Sequence, residues 1–369
     1  MKTAFIFVDN LRIGGFQRLA LDQAYFLRDE GFVVTLVSLE ELPDANLSTF
    51  LSQERELLSR GNIRILSSGY AWKPLFETLT ELTLDLNKSD LILTHSLRAA
   101  ASLKLIRLFK RNKFNFSLIV HQIPKLTDPI QRKKRLIYSQ FCDHLFCFSK
   151  AVELGWTSQM PKVPKVFIKV FTRSIETLRN GVYLPRLPAI ASDIIGNRRT
   201  RIYFLGRPTF WKGLETIETL AASNSLIDYD FVFLVPEDDD ELFKPLRQLL
   251  GERLVIISGK TIASLNVQMG DVHLYPANYG PGVDLFESIS LNCLEFACLG
   301  IPSIVTRGGL YTWSDLLNLN IFFEEEWSDI SSVTTKILEI GQERAQNIYL
   351  SEIRSKVDIA NQMRELLKK

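Results

Sequence analysis

Residues 3–8 read TAFIFV, a short apolar run closed by Asp9 and Asn10, as a strand buried on both faces requires. Gly14 and Gly15 follow in the next loop. Phe16, Leu19, Ala20, Ala24 and Leu27 then recur at helical spacing, Gly31 can end that helix, and residues 32–37 form a second strand-like run. Strand, glycine loop, helix and strand make a βαβ unit, whose crossover favours a parallel sheet.

The alternation continues along the chain. Further strands are expected at 90–93, 116–120, 144–148 and 167–171, and Asn180-Gly181 marks a turn. Residues 183–200 (YLPRLPAIASDIIGNRRT) hold two prolines and little periodicity, as a linker does. The pattern then restarts, with strands at 201–205, 230–235, 254–258, 272–275 and 301–306. Helices are expected at 214–223, 240–250, around 290–299 and from 333 onward. A chain of 369 residues is too long for one ordinary core. The expected class is α/β with two Rossmann-like, doubly wound domains. Their bounds are 1–185 and 201–350, joined by a linker at 186–200, with a C-terminal helix over 351–369 packing back on the first domain. Ligands bind such sheets beyond the carboxyl ends of the strands, and two such edges facing each other would make a cleft.

Composition narrows the function. The chain is 46% hydrophobic and 23% charged, which suits a packed core, and its net charge of +2 gives no chain-wide field for nucleic acid. Aromatic residues do not interleave with its basic runs as a stacking platform needs. Cys142, Cys147, Cys293 and Cys298 form two C-x4-C pairs, which match neither zinc nor redox spacing and read as reduced, buried thiols. The first apolar run is too short for a signal or a membrane span. The expectation is a cytoplasmic protein without a metal site; Asp238–Asp240 reads as an ordinary charged turn.

Two segments carry candidate chemistry. In GRPTFWKG (206–213), Arg207 and Lys212 follow a strand and a glycine. Two cations at a strand's carboxyl edge suit an anion, although a solvated loop fits the same residues. In ESISLNCLE (287–295), the two glutamates are eight apart, so they do not share one helical face. Glu287 belongs to the preceding loop. Glu295 sits in the helix among Cys293, Leu294, Phe296 and Ala297, where a carboxylate needs a partner. Either glutamate could accept bonds from sugar hydroxyls or act as a base. Gly14 and Gly15 would let backbone N–H groups reach an anion or a sugar, and Arg18 is as compatible with a surface charge as with a ligand contact. His121 ends the strand-like run SLIV, and His95 follows LILT. His144 and His273 read as structural.

Taken in order, these pieces resemble a retaining GT-B glycosyltransferase of the family 4 type. The resemblance rests on Gly14-Gly15, on Asn180-Gly181-Val182 and on Gly206-Arg207 with Lys212-Gly213. It rests also on Glu287 with Glu295, on Gly300-Ile301-Pro302-Ser303 and on Gly308-Gly309. It implies transfer of a sugar from a nucleoside diphosphate to a glycan or lipid-linked acceptor in surface polysaccharide assembly, with no metal and no cofactor. It assigns Arg207 and Lys212 to the donor diphosphate, Glu295 to the ribose and Glu287 with Ser288 to the sugar. Gly15 would approach the donor, His121 would lie near the reacting centre, and Gly14, Arg18 and His95 would lie on the acceptor side, in the N-terminal domain. The chain departs from the family at Ser288 and Ser290, which replace glycines, and at Tyr183, which replaces an acidic residue. A non-catalytic module that binds a glycan or a partner glycosyltransferase is the alternative in another class, and the serines favour it. A sugar-nucleotide epimerase fits the pairing of NGV with GR-x4-KG less well.

Lys104, Arg107, Lys110, Arg111 and Lys113 crowd one helix and its end, and residues 132–135 (RKKR) add a second basic run. A solvated face accounts for both. A surface that meets anionic lipid, or an anionic lipid-linked acceptor, is the sharper reading, and it makes a membrane face a candidate partner.

Overall fold

The computed structural model describes residues 1–11, 15–40, 61–69, 71–121, 142–148, 152–153, 156–157, 174–178, 181–187, 198–206, 212–235, 239–258, 262, 265–268, 270–277, 290–306, 321–324, 327–342 and 347–368. The chain divides into two compact units. Described residues within Met1–Tyr183 and Ile359–Lys369 form one, and those within Leu184–Val283 and Ile289–Asp358 form the other.

The first unit is built on a seven-stranded sheet in the order β3-β2-β1-β4-β5-β6-β7. Its strands are β1 (Lys2–Val8), β2 (Phe32–Ser38), β3 (Ile63–Ser67), β4 (Leu91–Thr94), β5 (Ser117–Val120), β6 (His144–Cys147) and β7 (Ser174–Thr177). Every neighbouring pair is parallel. The central strand shows why its sequence is apolar throughout. Side chains alternate between faces, so Ala4, Ile6 and Val8 join one core while Phe5 and Phe7 join the other. The first core is closed by Leu19, Ala20, Ala24 and Leu27 of α1 (Gly15–Asp29). The second is closed by Leu75 and Leu79 of α2 (Trp72–Glu81), Leu86 of α3 (Thr83–Lys88) and Leu103 and Ile106 of α4 (Leu97–Phe109). Ser96 starts α4 by accepting a bond from the Ala99 N–H at 3.1 Å, a side-chain cap for an otherwise orphaned donor.

The second unit repeats the scheme with six strands in the order β10-β9-β8-β11-β12-β13. These are β8 (Thr200–Leu205), β9 (Tyr229–Val235), β10 (Leu254–Ser258), β11 (Val272–Tyr275), β12 (Ser303–Thr306) and β13 (Ile321–Glu324), all parallel. Its helices are α5 (Leu214–Ala221), α6 (Asp240–Leu250), α7 (Leu291–Cys298), α8 (Ile330–Gln342) and α9 (Asn347–Val357). Ile202 and Phe204 of β8 pack with Ile217, Leu220, Phe243, Leu246, Val333 and Ile337.

The last helix, α10 (Ile359–Leu366), belongs to the first unit and adds Ile359, Met363 and Leu366 to the core beside α1. The Asn180-Gly181-Val182 turn meets it. A Cβ on Gly181 would lie 2.6 Å from the Ile359 Cα, and the Ile359 N–H donates to the Val182 carbonyl at 3.0 Å. Glycine is therefore required for two backbones to touch. Tyr183 is buried at the same place. Its N–H donates to Asp22 at 3.3 Å and its hydroxyl donates to Asp29, which fixes both ends of one stretch of α1.

Three details differ from the sequence expectation. β3, β7 and β13 are additional strands. β12 begins at Ser303 rather than at 301, because Pro302 has no N–H to give the ladder, although its carbonyl accepts from His273 at 2.8 Å. The tail is three helices rather than one, and the part that returns to the first unit starts at Ile359. The strand expected at 167–171 lies outside the described residues.

Candidate functional site

In each unit the polar residues of interest gather at the carboxyl edge of the sheet, next to its topological switch point. In the first unit the order turns at β1, which has β2 on one side and β4 on the other. His95 follows β4 and its N–H donates to the Phe7 carbonyl of β1 at 2.8 Å. His121 follows β5, the next strand outward. The parallel register thus sets the two imidazoles side by side: His95 Nδ1 and His121 Nε2 are 2.8 Å apart. Across the same edge, His95 Nε2 lies 2.8 Å from the Gln23 Oε1 of α1, and Gln23 Nε2 donates to the Gln362 Oε1 of α10 at 3.2 Å. Phe16 and Phe148 flank the His121 ring, with centroids 4.0 and 4.4 Å away.

His121 is buried and His95 half-buried, and partial loss of water lowers the pKa of both rings. That loss pushes His95 down to about 3, and His121 is held well below the usual histidine range by burial and then by the neighbouring His95. Both are neutral imidazoles near pH 7. Arg18 is half-buried on α1, and Gly15 is exposed at the start of that helix, where an added Cβ would meet nothing within 4 Å. Packing among the described residues therefore does not demand glycine at 15. Gly14 lies outside the described residues.

In the second unit the order turns between β8 and β11. Gly206 ends β8 with φ 116°, and Gly213 starts α5 with φ 76°. A Cβ on Gly213 would lie 2.1 Å from the Pro276 carbonyl oxygen, so both its conformation and its neighbour exclude a side chain. This contact seats Lys212 at the end of β11, where its ammonium donates to the Tyr275 hydroxyl and lies 4.5 Å from the centre of the Tyr275 ring. Burial pushes the Cys293 thiol of α7 up to about 12, and the Lys212 charge partly offsets that rise. Asn292 of the same helix donates to the Leu205 carbonyl at the end of β8, at 3.3 Å.

Glu295 is fully buried on α7. Its Oε1 accepts from Arg186 Nη2 at 2.6 Å, and both side chains are almost wholly out of water. The carboxylate thus has the partner its apolar surroundings require, and the partner comes from the short 3-10 turn Leu184–Arg186. Ser290, where the family has glycine, precedes α7 with φ −55° and ψ 131°, which any residue adopts. Its Cβ imposes no backbone strain there. Arg207, Glu287 and Ser288 lie outside the described residues. His144 and His273 bond Ser174 and Ser303 at 2.8 and 2.9 Å, as structural histidines do.

Four participants escaped the sequence reading. Gln23, Gln362, Tyr275 and Arg186 carry no motif, and each meets its partner across a long sequence separation. The basic helix is also corrected. Lys104 is buried, and Arg107 is tied to the buried Asp143 at 2.5 Å. The exposed surface is instead Leu105, Leu108, Phe109, Lys110, Arg111 and Lys113. The run at 132–135 lies outside the described residues. Among the described residues no three of His, Cys, Asp or Glu are grouped to hold a metal ion.

The buried ion pair makes a direct prediction. Glu295→Ala takes away the carboxylate facing the Arg186 guanidinium and should cost about 3–5 kcal/mol. Glu295→Gln, which keeps an acceptor oxygen, should cost less. Urea unfolding measures both, and a wild-type midpoint for Glu295→Ala would refute the role given to the pair.

No protein-family model matches the sequence, and no curated protein matches it. Solved structures do match. Anabaena HepE in complex with UDP superposes with a TM-score of 0.70 at 14% identity, over 100% of this chain and 99% of that one, and it was also solved with UDP-glucose. A glycosyltransferase from Rickettsia africae gives 0.69 at 14%, over 100% and 97%. A TarM variant of S. aureus, solved with fondaparinux, alpha-GlcNAc-glycerol and UDP, gives 0.64 at 10%, over 100% of both chains. The likeness runs the full length of the chain and is one of fold. The chain is an α/β protein of the GT-B architecture, with two Rossmann-like domains.

Proposed function

We propose that the chain is a glycosyltransferase that moves a sugar from a nucleoside diphosphate to a hydroxyl of a glycan or lipid-linked acceptor, in surface polysaccharide assembly. The observation that carries this reading is Lys212. A glycine that tolerates no side chain holds its charge at the switch point of the second sheet, where ligands of such sheets bind. HepE and TarM, which share the fold, were solved with UDP.

In this reading Lys212 and Arg207 hold the donor diphosphate and stabilise the charge that grows as it leaves. They take the part that a metal would play elsewhere, so transfer needs none. Glu295, its carboxylate held by Arg186, accepts from the ribose hydroxyls. Glu287 and Ser288 bind the transferred sugar, and Gly15 leaves room for the donor. His121 serves the reacting centre, with Gly14, Arg18 and His95 toward the acceptor. The bond from the sugar's anomeric carbon to the diphosphate breaks as the bond to the acceptor oxygen forms on the same face. The acceptor's proton passes to the departing diphosphate oxygen, and configuration is retained in the family 4 manner. Lys212 and the buried Glu295 favour catalysis over a non-catalytic binding role. The buried thiols support a cytoplasmic site of action.

A thermal-shift series with UDP, GDP, dTDP, ADP and CMP tests this, with and without EDTA. One diphosphate should raise the melting temperature of the wild type, EDTA should not change the shift, and Lys212→Ala should abolish it. A protein that responds to none of them is a binding module rather than a transferase. A shift that EDTA removes would contradict the metal-free scheme.

We further propose that the face formed by Leu105, Leu108, Phe109, Lys110, Arg111 and Lys113 meets anionic lipid. Apolar side chains there are exposed beside cations, the pairing that such a surface attracts. No described helix is long and apolar enough to cross a membrane. The protein should float with phosphatidylglycerol vesicles and not with phosphatidylcholine vesicles, and a Phe109→Ser, Lys110→Ser variant should lose that binding. Equal behaviour with both lipids would end this part of the proposal.

A further inference from the structure

We propose that Gln23 and Gln362 act through His95 as positioning residues, fixing which ring nitrogen of His121 carries its proton, so that His121 presents Nδ1 as an acceptor to a hydroxyl-bearing ligand. That the hydroxyl is a sugar's rests on the proposed function; the proton arrangement does not.

The argument starts from counting protons. A neutral imidazole has one N–H and one lone pair, and a carboxamide has an oxygen that only accepts and a nitrogen that only donates. His121, His95, Gln23 and Gln362 form one line of three hydrogen bonds: 2.8 Å between the rings, 2.8 Å from His95 to Gln23 and 3.2 Å from Gln23 to Gln362. In such a line every bond must point the same way. A mixed order sets two N–H groups, or two lone pairs, head to head, and an unmet buried polar group costs about 1–3 kcal/mol. Gln23 and Gln362 are 0% and 3% exposed, so water does not relieve such a mismatch.

The amides choose the direction. Gln23 turns its oxygen to His95 and its nitrogen to the Gln362 oxygen. His95 therefore carries its proton on Nε2 and its lone pair on Nδ1. His121 must then donate from Nε2, which leaves its own lone pair on Nδ1. Burial keeps both rings neutral, which the count requires. Among the described residues nothing hydrogen-bonds His121 Nδ1, and Phe16 and Phe148 hold the plane of the ring.

The chemistry of that nitrogen is selective. A neutral lone pair accepts from O–H or N–H and offers nothing to a phosphate or carboxylate oxygen. His121 is thus built for a hydroxyl, while the cation of the second unit is built for an anion. The control comes from the far end of the chain: Gln362 lies 339 residues from Gln23 and arrives on α10. Docking of that helix is therefore part of setting the site, not only part of closing the core.

Substitution at Gln362 separates this role from packing. Lysine has donors and no acceptor, so Gln362→Lys should make Gln23 turn its oxygen outward and its nitrogen to His95. Both rings should then move to the Nδ1–H form. Adding Gln23→Glu, which accepts from both neighbours, should return them to Nε2–H. Long-range proton–nitrogen NMR of 15N-histidine protein reads the protonated nitrogen directly. With four histidines in the chain, His144→Gln and His273→Gln complete the assignment. The wild type should show Nε2–H at both His95 and His121, the lysine variant Nδ1–H at both, and the double variant the wild-type pattern. Melting curves identify a variant that fails to fold, and Gln362→Glu, which should keep the wild-type pattern, then stands beside Gln362→Met, which should give mixed tautomers. Nδ1–H rings or imidazolium in the wild type at pH 7 would overturn the proposal. So would tautomers indifferent to residue 362. The spectra need no substrate, so they decide the matter even if no sugar is transferred. Where transfer is seen, its loss in the lysine variant and recovery in the double variant would tie the tautomer to the reaction.

Discussion

The Gly213 contact with Pro276 is the constraint on which the donor half of the account depends. A left-handed residue with 2.1 Å between its missing Cβ and a carbonyl oxygen admits glycine alone. That contact turns the chain out of the loop after β8 and into α5, and it delivers Lys212 to the end of β11. Strand order makes the place significant. The strand order reverses between β8 and β11, the place where ligands of such sheets bind. The first unit uses the same geometry at β1 and β4, but places neutral imidazoles there instead of a cation. Two similar sheets thus carry opposite chemistries, one suited to charge and one to hydroxyls.

Several buried charged and polar groups share one feature in both units. Their main partners are brought from far away in sequence by a sheet edge or a helix. Glu295 has Arg186, Asp143 has Arg107 and the Phe116 N–H, and His95 has both His121 and Gln23. Asp271 likewise gathers Arg198, the Arg201 N–H and the Gln268 N–H where β8 and β11 begin. Desolvation makes each pairing costly to break, so these pairs set geometry more than they add net stability. The Glu295 carboxylate gains a fixed orientation from its arginine.

What could be read from the sequence follows the range of the interactions. Short apolar runs mark β1, β2, β8, β9 and β11 because burial on both faces leaves a local signature. His121 drew notice because it directly follows such a run, and Lys212 because it closes a glycine-flanked segment that follows one. β3 was not legible: Ile63–Ser67 is an edge strand in which every residue is at least partly exposed, so its pattern is weak. Gln23 on α1 and Gln362 on α10 look like ordinary helical polar residues, and only the return of α10 onto Gly181 brings them together. The basic helix misled for a related reason. Lys104 and Arg107 read as surface charge, yet one is buried and the other is committed to Asp143, facts that depend on the fold around them.

The central claim is that Lys212 holds the diphosphate of a nucleotide donor. The most direct measurement is calorimetric titration of wild type and Lys212→Met with the best-binding nucleoside diphosphate and with its bare nucleoside. The account predicts that the wild type prefers the diphosphate by at least about tenfold, or about 1.4 kcal/mol, and that the variant loses most of that preference while still binding the nucleoside. A wild type that binds both equally, or a variant that discriminates as well as the wild type, would contradict it.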